Sequence, residues 1–145
     1  MTPAVIKHHE TAGLWTETTA CEVLEENAQR FGNRVAIIDG RSRLTYAQYW
    51  SAVQRLATKF VDMGLTRDDV IAIQLPNWIE FAIAVNAAML AGIPFCQFHA
   101  DFRAKEVEFI LSFAEATCFV FAQEFRGFSY APMVDEMRER LPGLK

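Results

Sequence analysis

The sequence predicts an α/β fold: a mostly parallel sheet with helices on both faces, preceded by a short β-hairpin. After residue 45, apolar runs of strand length alternate with segments of helical periodicity. The strand runs VIAIQL, PFCQF and TCFVFA are apolar almost throughout, which is typical of strands buried on both faces of a parallel sheet. We therefore expect strands near residues 70–75, 94–98 and 117–122.

The composition is that of a folded domain and excludes several function classes. The chain has 145 residues, about one domain, with 52% hydrophobic and 22% charged residues and a net charge of −4. Its Lys and Arg are scattered, so we expect no nucleic-acid partner. Three well-separated cysteines and an N-terminus without an apolar export signal predict buried free thiols and a cytoplasmic location. The uncharged stretch 81–100 is interrupted by Gly92 and Pro94, so we expect no membrane span.

The chain divides into an N-terminal arm and one incomplete α/β unit. Residues 1–18 are polar and irregular in pattern and predict the arm, and residues 19–145 form the unit. Thr19 begins a capping box, T-A-C-E, for a helix that Gly32 closes.

A hairpin follows the first helix. VAII predicts its first strand, Asp39-Gly40 predicts the turn, and RLT returns to a second capping box that begins at Thr45. The helix after that box has apolar residues at steps of three and four up to Gly64.

The stretch QLPNWIEF, residues 74–81, joins a predicted strand to a predicted helix. Pro76 removes a backbone donor, and Asn77 is followed by Glu80 at the spacing of a capping box. We expect Asn77 to cap a helix that ends at Gly92, so that the stretch is a scaffold joint. Two further helices are predicted around Val107–Ala114 and from about Ala131.

No catalytic or metal site stands out. The nearest glycines are eight residues apart, so neither glycine-rich phosphate-loop motif occurs. His8, His9 and His99 have no partner at metal-ligand spacing, and no serine lies in a nucleophile elbow. His99 follows a predicted strand, where α/β proteins place ligand-binding groups, and is either such a group or an ordinary surface residue.

Several motifs occur in an order that resembles the amino-terminal part of AMP-forming acyl-CoA synthetases, the adenylate-forming superfamily. They are LTYAQ after the hairpin, MGL-x-x-DDVIAIQLPN, the EF-bearing helix that ends in AG, and the E-x-x-F-I-L helix. The segments LPNWIEF and FRGFSYAPMVDEMRERLPGL are most similar to the branch that activates alicyclic, aryl or short- to medium-chain acids. His99-Ala100 stands where the family often has Asn-Pro.

The resemblance implies a function for the intact protein. Such enzymes convert a small carboxylic acid and ATP, with Mg, to an acyl-adenylate and then, with CoA, to an acyl-CoA. In the family, the phosphate loop, the adenine-binding motif and the lysine domain come later than the part matched here. This stretch alone is therefore expected to be inactive and to self-associate through faces meant for the rest of the enzyme.

The resemblance also implies one cofactor-binding site. In the family, the loop after the strand that matches PFCQF contributes to the nucleotide end of CoA, which assigns His99 and Arg103 here, with Arg126 near them. Arginine binds phosphate through bidentate hydrogen bonds, and the alternative is ordinary surface charge.

Two other classes of protein are considered. The first is a free-standing α/β interaction module without catalysis. The second is a phosphoacceptor domain that uses Asp101, which is disfavoured because no acidic pair ends an earlier strand to hold a metal.

Overall fold

A three-stranded parallel sheet is the centre of the computed structural model, which describes residues 2–145. The elements, in chain order, are α1 (Pro3–Thr11), α2 (Ala20–Phe31), β1 (Val35–Ile38), β2 (Arg43–Thr45), α3 (Tyr46–Asp62), β3 (Ile71–Gln74), α4 (Ile79–Ala91), β4 (Phe95–Gln97), α5 (Ala104–Phe113), β5 (Cys118–Phe121), β6 (Glu124–Phe125), β7 (Phe128–Ser129) and α6 (Ala131–Arg138).

The central sheet confirms the predicted α/β class. Its strand order is β4-β3-β5, with β3 parallel to both neighbours and Ile71 level with Phe95 and Cys118. All four residues of β3 are buried, as a strand covered on both faces requires. On the outer edge of β5, Lys145 accepts from the N–H of Phe119 and donates to the carbonyl of Thr117.

The helices cover both faces of the sheet, as predicted. Ile71 and Ile73 point to one face, where the buried side chains of α2, α3 and α4 form one core. Ala72 points to the opposite face, where Val107 and Leu111 of α5 and the buried methionines of α6 form a second core. This alternation follows from the two-residue period of a strand. None of the helices in residues 2–145 is both long and apolar enough to cross a bilayer.

The first hairpin and both threonine caps are confirmed. β1 and β2 pair antiparallel around Asp39-Gly40. The hydroxyl oxygens of Thr19 and Thr45 each accept from the backbone N–H three residues on. The side chains of Glu22 and Gln48 in turn accept from the backbone N–H of Thr19 and Thr45. These contacts are local, which is why the sequence could predict them.

Residues 3–11 of the predicted N-terminal arm form a helix, α1, which the sequence pattern did not predict, whereas the division of the chain at residue 18 stays a prediction. Pro3 lies in the first turn, where its missing N–H costs nothing and its fixed φ suits the helix. The periodicity gave no sign of this helix because none of its residues is buried, so it carries no apolar stripe.

The cap predicted at Asn77 is also wrong. α4 begins at Ile79, and Trp78 occupies the N-cap position without a side-chain bond. The Asp39 carboxylate, from the tip of the first hairpin, accepts instead from the N–H of Ile79 at 3.1 Å. Glu80 pairs with Arg41 at 2.8 Å and closes no box.

A second hairpin, β6–β7, was not predicted. Phe125 pairs with Phe128 across the two-residue turn Arg126-Gly127, and both turn residues have positive φ, 51° and 76°. Two positive φ values in succession are the geometry of a type I′ turn. The strands contain two residues each, too few to show an alternating pattern.

Candidate functional site

A cleft of about 620 Å³ lies beyond the carboxyl ends of β3 and β4. The chain leaves the central strand β3 for β4 on one side and then crosses to β5 on the other, with α4 and α5 on opposite faces. Such a reversal of winding direction opens a crevice where α/β proteins bind ligands. One wall of the cleft is aromatic and its rim is polar; the aromatic residues are Trp78, Phe81, Phe98 and Phe125, and the polar ones include Asp39, His99, Asp101 and Arg126.

The polar rim joins two loops that are 25 residues apart in sequence. Asp101 Oδ2 lies 3.4 Å from Nδ1 of His99 and 3.5 Å from Nη1 of Arg126. The N–H of Asp101 lies 3.3 Å from the same His99 nitrogen. All three side chains are exposed, so the contacts of Asp101 with His99 and Arg126 contribute little to stability, and the three groups are accessible to a ligand.

The structure therefore brings together two of the three residues assigned from the sequence. His99 and Arg126 line the cleft, whereas Arg103 does not. The Arg103 guanidinium lies over the ring of Phe128 at 4.0 Å, and its Nη1 donates to the carbonyls of Ala100 and Phe102. Arg103 thus holds its own loop, and the assignment of the three residues to CoA stays a prediction.

Two buried side chains that the sequence reading did not single out also hold this loop. Gln74, at the end of β3, is fully buried, and its Nε2 donates to the carbonyls of His99 at 3.2 Å and Phe102 at 3.0 Å. Tyr130, also fully buried, donates its hydroxyl to the carbonyl of Ala100 at 2.6 Å. The only available signal was a polar residue at the end of an apolar strand.

Asp39 fixes the opposite side of the cleft. Its side chain is only 3% exposed and accepts from the N–H groups of Arg41, Ser42 and Ile79. These bonds to the ionised form, with that of Ile79 the largest cause, hold the pKa of the Asp39 carboxyl well below its usual range. The guanidinium of Arg41 stacks on Trp78 at 4.0 Å, so the hairpin tip fixes both the start of α4 and the aromatic wall.

The described part of the chain carries neither converging metal ligands nor an activated thiol. Among residues 2–145, no three His, Cys, Asp or Glu side chains converge as metal ligands. Cys21 and Cys118 are buried and Cys96 is half-buried, and burial raises the pKa of all three thiols, which favours the unreactive protonated form.

A doubly wound parallel sheet with a crevice at its carboxyl edge is the arrangement in which α/β proteins of several families bind ligands. Comparison with protein families identifies which one. The family described as AMP-binding enzyme matches residues 24–144, and the chain belongs to this family. The resemblance to adenylate-forming enzymes seen in the sequence is confirmed.

Relatives of known activity are similar along almost the whole chain. The 2,3-dihydroxybenzoate-AMP ligase of Bacillus subtilis (strain 168) is 29% identical over 134 residues, which are 92% of this chain and 25% of that protein. The salicyl-AMP ligase / salicyl-S-ArCP synthetase of Mycobacterium tuberculosis (strain ATCC 25618 / H37Rv) is 32% identical over 142 residues, 94% of this chain and 25% of that protein. The chain thus spans about a quarter of the length of these relatives.

Solved structures agree with the fold. The apo structure of Mycobacterium smegmatis MbtA superposes with a TM-score of 0.80 at 26% identity, over 98% of this chain and 26% of that one. The anthranilate CoA ligase AuaEII, in complex with anthranoyl-AMP, gives a TM-score of 0.78 at 18% identity, over 88% of this chain and 24% of that one, and shows the fold alone. The predicted α/β class and its place in the N-terminal domain of adenylate-forming enzymes are confirmed.

Proposed function

We propose that this chain is the amino-terminal portion of an ATP- and Mg-dependent ligase that activates a small aryl carboxylic acid as its acyl-adenylate and then transfers the acyl group to CoA. One observation carries the proposal: relatives that match over nine-tenths of the chain are named for the adenylation of 2,3-dihydroxybenzoate and salicylate. The chain spans a quarter of their length, so the activity belongs to the longer protein.

The requirements of the reaction indicate which steps this segment can support and which need the rest of the enzyme. A carboxylate is a poor electrophile until one of its oxygens is bonded to a phosphate leaving group, so catalysis depends on positioning and on neutralising phosphate charge. No glycine-rich loop in this sequence can surround the phosphates. No three His, Cys, Asp or Glu side chains of residues 2–145 converge on one point, and no step of the reaction is assigned to a magnesium ion here.

This segment would instead supply scaffold and one binding surface. The rim of the cleft presents an exposed arginine, Arg126, and an exposed imidazole, His99, on loops that the fold holds together. A guanidinium suits phosphate oxygens in bidentate geometry, and the nucleotide end of CoA carries such groups. We place the acceptor, rather than the reacting carboxylate, against this rim.

The test is ATP–pyrophosphate exchange, followed by detection of the acyl-CoA product. The assay uses salicylate, 2,3-dihydroxybenzoate, anthranilate and a panel of alicyclic and short-chain acids. It is run on the 145-residue chain and on the product of the full reading frame that contains it. We expect exchange with an aryl acid by the longer product and none by the 145-residue chain.

Three results would contradict the proposal in different ways. Exchange by the purified 145-residue chain overturns the assignment of catalysis to the longer protein. No exchange by the longer protein with any acid overturns the ligase. Exchange without acyl-CoA formation in the presence of CoA overturns CoA as acceptor and directs the search to a carrier-protein thiol.

A further inference from the structure

The loop between β4 and α5 is held by side chains that bind its backbone. Three of its carbonyls, those of His99, Ala100 and Phe102, accept hydrogen bonds from fully buried side chains elsewhere in the fold. The donors are Gln74 from the central strand and Tyr130 from the segment after β7. The loop is therefore fixed from both the sheet and the second hairpin.

We propose that Gln74 and Tyr130 are positioning residues that set the conformation of residues 98–103, and thereby the placement of His99 and Asp101 on the rim of the cleft. Neither side chain lines the cleft. Both bind the backbone of the loop, and side chains of that loop line the cleft.

The chemistry of Gln74 suits this role. The N–H of Phe102 donates to the carbonyl of His99 and closes a turn. The amide NH₂ of Gln74 supplies two donors, and they bind the carbonyls of the two residues at the ends of this turn, His99 and Phe102. Its Oε1 is buried and has no hydrogen-bond partner among residues 2–145. An unpaired buried acceptor is destabilising, so Gln74 stabilises the core less than an apolar side chain of the same size would. Both of its donors, in contrast, bind the loop.

Tyr130 connects the loop to the other half of the rim. Its ring contacts that of Phe128 edge to face, with 4.9 Å between centroids, and Phe128 pairs with Phe125 in the hairpin that carries Arg126 at its turn. The hydroxyl then reaches Ala100, the residue between His99 and Asp101. The separation between Asp101 and Arg126 is thus set by a rigid aromatic contact rather than by their own weak, exposed ion pair.

The experiment begins with amide hydrogen exchange on the 145-residue chain. Gln74→Met keeps the approximate shape and removes both donors, and Tyr130→Phe removes only the hydroxyl. Tyr49→Phe is the matched control, because its hydroxyl donates to the carbonyl of Ala82 and accepts from Asn86 in the core on the opposite face of the sheet. We expect the amides of Asp101 and Phe102 to exchange about tenfold faster in the first two variants than in the control.

Comparison with the central strand separates positioning from general stability. A merely stabilising role would speed exchange at Ile73, a fully buried residue of the central strand, as much as at the loop. If the loop amides of Gln74→Met and Tyr130→Phe exchange as in Tyr49→Phe, the proposal is wrong. Tyr130→Phe is the milder change and keeps the test decisive if Gln74→Met does not fold.

The consequence for the reaction rests on the proposed function. In the longer protein, we expect both variants to raise the KM for CoA about tenfold and to leave the rate of ATP–pyrophosphate exchange within about twofold of the unaltered enzyme. A mobile loop with an unchanged KM for CoA would overturn the link to the acceptor. If the longer protein shows no exchange with any acid, the proposed ligase fails, and the hydrogen-exchange result still decides the role of Gln74 and Tyr130.

Discussion

Leu111 and Phe113 give the sharpest test of how α5 sits in this chain. They lie two residues apart on the same helix, yet Leu111 is 1% exposed and Phe113 is 81% exposed. Leu111 packs in the core between α5, α6 and the sheet, whereas Phe113 contacts the ring of Phe109, one turn earlier, on the outer surface. Replacing each with alanine should therefore have very different effects on the free energy of unfolding.

The magnitude follows from what each substitution removes. Leu111→Ala takes three carbon atoms from the core, about 2.4 kcal/mol of transfer free energy at about 0.8 kcal/mol each. A cavity that does not collapse brings the total to as much as about 5 kcal/mol. Phe113→Ala removes a larger side chain from water and replaces it with the best helix former, so we expect a change within about 0.5 kcal/mol.

Urea unfolding of the 145-residue chain, followed by circular dichroism, measures both changes. With a slope of about 2 kcal/mol per molar urea, Leu111→Ala should lower the midpoint by about 1–2.5 M, and Phe113→Ala should leave it nearly unchanged. The comparison is made at a protein concentration low enough for the chain to be monomeric. Equal losses for the two variants under that condition would refute the reasoning, because they would mean that Phe113 is buried within the single chain.

Three further predictions concern the hairpin cap, the exposed aromatic face and the rim. Asp39→Asn should destabilise the chain at neutral pH. Because folding lowers the pKa of Asp39, the carboxylate stabilises the fold above its ordinary pKa of about 4, and this stabilisation is lost as the pH falls further. The urea midpoints of variant and parent should therefore converge at low pH, and a constant difference would contradict the cap. The 145-residue chain should self-associate through exposed Phe109 and Phe113, and the pair Phe109→Ser and Phe113→Ser should lower the mass found by light scattering; a monodisperse parent at high concentration would be the contrary result. In the longer protein, Arg126→Ala should raise the KM for CoA, and Arg103→Ala should do so only by loosening the loop that it holds; an unchanged KM in both would end the CoA assignment.

The candidate site was only partly predictable from the sequence. His99 could be placed at the edge of the sheet because it follows a recognisable strand. Its proximity to Arg126 depends on a hairpin of four paired residues, which is too short to leave a periodic signal. The roles of Gln74 and Tyr130 were not predicted, because each acts on a loop 25 to 30 residues away through a carbonyl group that every residue possesses.

The sequence by itself determined the features that arise from contacts within a few residues or from burial pattern. Strand runs without alternation required a sheet covered on both faces, and the boxes at Thr19 and Thr45 fixed two helix starts, because their partners are three residues away. Tertiary structure alone decided how α4 begins. Asn77 had the residue type and spacing of a cap, but the Asp39 carboxylate, delivered by the hairpin, binds Ile79 in its place. An N–H at a helix start donates to whichever oxygen the fold brings to it, and which oxygen that is depends on packing between elements 40 residues apart.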